Sequence, residues 1–121
     1  MRRILSVMLF SLMLISCADA GVRKYRLEVI AEYPHDTDSY TQGLFFNEGQ
    51  MYESTGEHGN STFRKVELET GKALERLNFD RKYFVEGSVM LDGNLYILTW
   101  ESRLAFIYDA ETLEYKSTWK Y

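Results

Sequence analysis

Apolar and polar residues alternate in short runs along most of the chain. Nine runs read as strands: RLEVIAEY (26–33), GLFFNE (43–48), QMYEST (50–55), STFRKVEL (61–68), KALERLNF (72–79), EGSVML (86–91), NLYILTW (94–100), RLAFIYD (103–109) and EYKSTWK (114–120). They are rich in aromatic and β-branched residues, and several alternate with the period of two that buries one face. The turns NEGQ, ETGK, LDGN and DAET between them are short, as adjacent antiparallel strands require. KALERLNF has some helical character. It is only one or two turns long and lies between ETGK and FDRKYF, so it reads as strand. Pro34 is the single proline, and no stretch is low-complexity. The pattern predicts an all-β fold.

The runs repeat. FFNEGQMYESTG aligns with VMLDGNLYILTW, placing Gly49 and Gly93 44 residues apart. RKVELETGK aligns with FIYDAETLE, placing Glu67 and Asp109 42 residues apart. Four short strands in 42 to 44 residues are the signature of a β-propeller blade, which buries its apolar face only against a neighbour. Residues 43–119 supply two blades, and propellers close with about four to eight. The chain therefore reads as the front part of a longer protein, folding as one partial domain over residues 26–121. RLEVIAEY then becomes the strand that pairs with the final blade and shuts the ring. Left unpaired, it is an exposed edge.

The first residues stand outside this pattern. MRR is followed by the apolar run ILSVMLFSLMLIS, the form of a secretion signal over residues 1–16 and short for a membrane span. LISC, from Leu14 to Cys17, resembles the lipobox of bacterial lipoproteins. Cys17 is the only cysteine, so no internal disulfide is possible. Acylation accounts for a lone exported thiol most simply; an ordinary signal peptide with an incidental cysteine is the alternative. Residues 17–25 read as a lipidated tether, which places the protein at the bacterial cell envelope or in the periplasm, held to a membrane by its lipid. Removing residues 1–16 takes Arg2 and Arg3 from the 14 basic residues, leaving 12 against 18 acidic, a net charge of −6. That balance excludes a nucleic-acid partner.

One stretch raises a chemical question. YFVEGSVM (83–90) sets Glu86 among Tyr83, Phe84, Val85, Val89 and Met90, with Gly87 directly after it. A strand carboxylate facing water is one reading, because most glutamates are exposed. A proton-handling acid is the other. For that role Phe84, Val85 and Met90 are expected to limit its solvation, and Gly87 to allow a close backbone approach or a conformation other residues resist. HDTD (35–38) and His58 lack the spacing of zinc or calcium sites. There is no G-x-S-x-G elbow. Arg64 and Glu67 read as surface or cross-strand charges.

Three stretches together, YPHDTDSYTQGL (33–44), YESTGEHGNSTFRKVELETGK (52–72) and RKYFVEG with LYILTW (81–87 and 95–100), closely resemble the glutamine cyclotransferase family of bacteria and plants. The likeness runs over about residues 28–119. It implies a five-bladed propeller, of which this chain covers two blades. It also implies a glutaminyl-peptide cyclotransferase, which turns the N-terminal glutamine of a peptide or protein into pyroglutamate with release of ammonia. No cofactor or metal is then required, and a monomer is expected at full length. Glu86 matches the family's catalytic acid. Tyr40, Gln42, Phe84 and Trp100 match its substrate pocket. The family commonly has phenylalanine where Tyr40 stands and glycine where Val85 stands, so Val85 is expected to narrow the site. HDTD matches a loop that shapes the pocket rim. For Trp100, packing at a blade end is the alternative. Later blades contribute further pocket residues in the family, so the 121-residue chain alone is expected to be inactive and poorly stable. A non-catalytic exported propeller that binds peptides or proteins is the second reading, and a structural fragment the third.

Overall fold

The structure, a computed structural model, describes residues 22–121. The signal-like segment and Cys17 lie outside the described residues. Residues 31–121 form one unit built of eight strands. They are β1 (Thr41–Asn47), β2 (Gln50–Thr55), β3 (Thr62–Val66), β4 (Ala73–Asn78), β5 (Val85–Leu91), β6 (Asn94–Thr99), β7 (Leu104–Asp109) and β8 (Tyr115–Lys120). They pair as two antiparallel sheets, β1-β2-β3-β4 and β5-β6-β7-β8, each in simple up-and-down order. This is the arrangement of two propeller blades.

The repeat in sequence is a repeat in backbone. Glu48 and Gly49 have φ of 50° and 80°, and Asp92 and Gly93 have 48° and 72°. Two consecutive positive φ values form the hairpin turn whose twist matches that of its strands. At the far ends, Gly71 N donates to Glu67 O and Leu113 N donates to Asp109 O. Gly71 and Leu113 are both left-handed, at 71° and 56°. Leu113 offsets the strain of that conformation by packing its side chain against the core. At Gly71 a Cβ would fall 2.5 Å from the Pro34 carbonyl oxygen, so this turn needs glycine twice over.

The core sits where β5 packs on β1 and β2. Tyr52, Phe63, Val85, Leu95, Ile97 and Phe106 form its buried cluster. Phe45 stacks on Tyr52 at 5.5 Å, directly across the β1–β2 ladder, and Tyr52 stacks on Phe63 at 5.7 Å, on the diagonal. Three rings on neighbouring strands thus share one face, the sheet's unit of stabilisation. Tyr52 and Phe63 lie on β2 and β3, the inner strands of the sheet, which are buried along nearly their whole length.

One expected strand is missing. RLEVIAEY (26–33) forms no strand, and its side chains are exposed. A strand persists only where a partner completes its ladder, and all eight strands pair within their own sheets. KALERLNF, by contrast, supplies β4, because β3 completes its ladder.

Acid should weaken this fold. Lys116 Nζ lies 2.8 Å from Asp109 Oδ2, and the Thr112 and Glu111 amides donate to Oδ1. These partners hold the Asp109 carboxyl well below the usual carboxylate range. Asp36 is lowered too, first by the Asp38 amide and then by Arg64. A carboxylate lowered by folding stabilises above its ordinary value near 3.8, and that stability is lost as pH falls through the folded value. The unfolding midpoint is therefore expected to drop between about pH 5 and pH 2, with a shallower drop in Asp109→Asn. Thermal melts across that range check it, and parallel curves for parent and variant would refute it.

Candidate active site

The start of each blade makes the same structure twice. Adding 44 carries Tyr40 to Phe84, Gln42 to Glu86, Gly43 to Gly87 and Gly56 to Trp100. Gly56 N donates to Tyr40 O at 2.8 Å, and Trp100 N donates to Phe84 O at 3.0 Å. The β1 register shifts between Thr41 and Gly43, and the β5 register between Val85 and Ser88. These irregularities are bulges, which re-aim side chains at the edges of ladders. Gln42 sits in the first and Glu86 in the second.

The β5 bulge is pinned to the first blade through β2. Ser54, fully buried on β2, donates from Oγ to Glu86 O at 2.7 Å, and Ser88 Oγ donates to Ser54 Oγ at 3.0 Å. A Cβ at Gly43 would fall 2.6 Å from Ser54 Oγ and 3.0 Å from Ser88 N. The missing side chain at Gly43 is what lets the blades approach. Gly87 does neither job expected of it: its backbone is not left-handed, and a Cβ there would meet nothing within 4 Å. The close approach is made by its counterpart one repeat earlier.

Tyr40, Gln42, Glu57, Phe84, Glu86 and Trp100 line one cleft of about 340 Å³. Phe84 is its central ring. Tyr40 meets it edge-on at 6.1 Å, Trp100 at 5.5 Å and His58 at 5.7 Å. Gln42, Phe84 and Glu86 are half-buried, while Tyr40, Trp100 and Glu57 are exposed at the mouth. All five site residues expected of the cleft are therefore brought together. Glu57 was not foreseen; the signal available was its place directly after Gly56 and beside His58. Trp100 stands exposed on the cleft instead of packing at a blade end.

Two neighbours of Glu86 point elsewhere. Val85 is wholly buried in the core, and Met90 packs against that core. Val85 is not among the residues lining the cleft, so it does not narrow it. Of the three residues expected to limit solvation at Glu86, only Phe84 lines the cleft with it.

The loop before Tyr40 is held by charges of the first blade. Glu53 and Arg64 face each other across β2 and β3. Glu53, 1% exposed, accepts hydrogen bonds from Thr41 Oγ1 and from His35 Nε2 at 2.9 Å. Arg64 Nη1 donates to Asp36 Oδ2 and Ser39 Oγ, both at 2.7 Å. Arg64 is thus a buried cross-strand charge, the second of the two alternatives, and not a surface one. A buried charge is tolerated when paired and hydrogen-bonded, and here the pairing fixes residues 35–41. HDTD does not line the cleft. It holds in place the chain that delivers Tyr40 and Gln42. Among the described residues, no group of three or more His, Cys, Asp or Glu side chains is placed to hold a metal ion.

Comparison with known proteins gives a consistent picture. The family model described as Glutamine cyclotransferase matches residues 4–121. A relative named glutaminyl-peptide cyclotransferase, from Arabidopsis thaliana, is 40% identical over 99 residues, covering 81% of this chain and 31% of the relative. The crystal structure of Myxococcus xanthus glutaminyl cyclase superposes with a TM-score of 0.66 at 35% identity, covering 78% of this chain and 39% of that one. The chain thus spans between 31% and 39% of the length of these two proteins.

Proposed function

Because the chain belongs to the glutamine cyclotransferase family, we propose that its cleft is part of a glutaminyl-peptide cyclotransferase site. One observation carries the reading: Gln42, Phe84, Glu86 and Trp100 converge on a single cleft. The reaction asks for little more than a proton carrier and a mould. The free α-amine of an N-terminal glutamine attacks its own side-chain carbonyl carbon, closing a five-membered ring. Glu86, as carboxylate, takes the proton that the attacking nitrogen gives up. The same proton then passes to the departing NH₂, the C–N bond breaks, and ammonia leaves. The carboxylate is regenerated. One acid serves both steps if it reaches both nitrogens at about 3 Å. The rings of Phe84 and Trp100 fold the flexible side chain over its amine, which supplies proximity. Gln42 both donates and accepts, which suits a carboxamide.

The wider architecture goes with this reading. The two sheets are the first two blades of a five-bladed propeller, and residues 26–33 pair with its last blade. The protein is exported and lipid-anchored at Cys17, acting on peptides or proteins outside the cytoplasm. Mass analysis of the mature N-terminus is expected to show a diacylated or triacylated Cys17; a mature chain starting elsewhere, or an unmodified Cys17, would remove the anchor.

The test of function is ammonia release from Gln-starting peptides by the full-length gene product. Turnover supports the cyclase. Peptide binding without ammonia release supports the non-catalytic binding propeller instead.

A further inference from the structure

Glu57 is a carboxylate in the cleft that the cyclisation does not use. Gln42, Phe84 and Glu86 form the half-buried inner wall, and Glu57 is exposed at the mouth. Its place there is fixed. The Glu57 carbonyl accepts from Asn60 N at 3.1 Å and from Ser61 Oγ at 2.8 Å. Ser61 Oγ in turn accepts from Val85 N at 3.0 Å, tying the loop to the start of β5. Glu57 has φ of 89°, a strained value for a residue with a side chain, held by those bonds. His58, next in the chain, rests edge-on against Phe84.

Among the described residues, the cleft is lined by two carboxylates and by no Lys or Arg. Among the described residues, neither Glu57 nor Glu86 makes an ion pair, and Arg81, which runs beside Gly59, is not in ion-pair contact with Glu57. With glutamine folded against the inner wall, the rest of a peptide must leave past the mouth. Its second residue is the first to project there.

We propose that Glu57 selects substrates whose second residue is Lys or Arg. The proposal rests on the cyclisation reading, which sets the direction in which the peptide lies. An exposed carboxylate discriminates modestly, by about two- to fivefold for an ion pair formed in water, and that preference is screened by salt.

The test uses the full-length gene product and three peptides that differ only at the second residue: Gln-Lys, Gln-Ala and Gln-Glu. The ratio of kcat/KM for Gln-Lys over Gln-Glu is expected to be about fivefold at low salt and to fall toward one at about 0.5 M salt. In Glu57→Gln the ratio is expected to stay near one at both salts. A ratio near one in the parent, or a preference that survives Glu57→Gln, overturns the assignment. Ammonia release from Gln-Ala separates the two levels. Turnover there with no charge preference defeats only the role of Glu57. No release from any of the three peptides defeats the cyclisation reading, and this proposal with it.

Discussion

Glu86→Gln is expected to lower the kcat for ammonia release by about 10²- to 10⁴-fold, the range over which positioned acid–base groups act. The substitution removes the group that receives and returns the proton while keeping the side chain's size. Nothing that holds the strand is lost with it. The bulge is fixed through the Glu86 carbonyl, which accepts from Ser54, and through the glycine opposite, Gly43. The Glu86 side chain makes no ion pair among the described residues. The unfolding midpoint should therefore match that of the parent. Steady-state kinetics beside thermal melts check both halves. Inactivity with a lowered midpoint would mean a damaged fold, and full activity would remove Glu86 from the chemistry.

Gly56→Ala is expected to damage the cleft without replacing any residue assigned to the reaction. Gly56 is buried at the end of β2, in the position that Trp100 holds one repeat later. A Cβ there would fall 2.4 and 2.5 Å from Phe84 Cε1 and Cζ, and 3.1 Å from Gln42 Cγ. The ring must move, because no real contact is that short. Overpacking of this kind costs about 1–3 kcal/mol. Displacing a substrate wall by about 1 Å costs up to about 10²-fold in rate. The expected result is a 10- to 100-fold fall in kcat/KM, carried mainly by KM, with a lowered unfolding midpoint. Gly87→Ala is the control. Its Cβ meets nothing, and a strand interior favours alanine over glycine, so stability should hold or rise. Measuring the two midpoints side by side decides it. Equal effects at Gly56 and Gly87 would show that steric room at Phe84 is not what Gly56 provides.

These two glycines mark what sequence could and could not reveal. Alternation and turn residues placed β1 to β8 to within a few residues, because each strand's ladder partner follows closely in the chain. Where the partner is not adjacent, as for RLEVIAEY, the same alternation produced no strand. The repeat located the blades, and it held more than was read from it. Its 44-residue step also equates Tyr40 with Phe84 and Gln42 with Glu86, so a cleft made by two matching strand starts was already written there. Family likeness drew attention to Glu86 and its partners. It could not say which neighbours share a face. Val85 and Gly87 flank Glu86 in the chain, yet one is core and a side chain at the other would face open space. For Arg64 the choice between surface and cross-strand charge stayed open, because nothing local reveals that Asp36 and Ser39 fold back onto it. Glu57 escaped notice because its role depends on which way a strained loop turns.

The measurement that bears most directly on the whole account is a single-turnover experiment. Full-length parent and Glu86→Gln are each mixed in molar excess with one Gln-starting peptide, and the product is followed by mass as ammonia is lost. The parent is expected to convert the peptide rapidly to its pyroglutamyl form. The variant is expected to bind the peptide but leave it uncyclised over the same interval. Equal conversion by the two proteins would contradict that expectation.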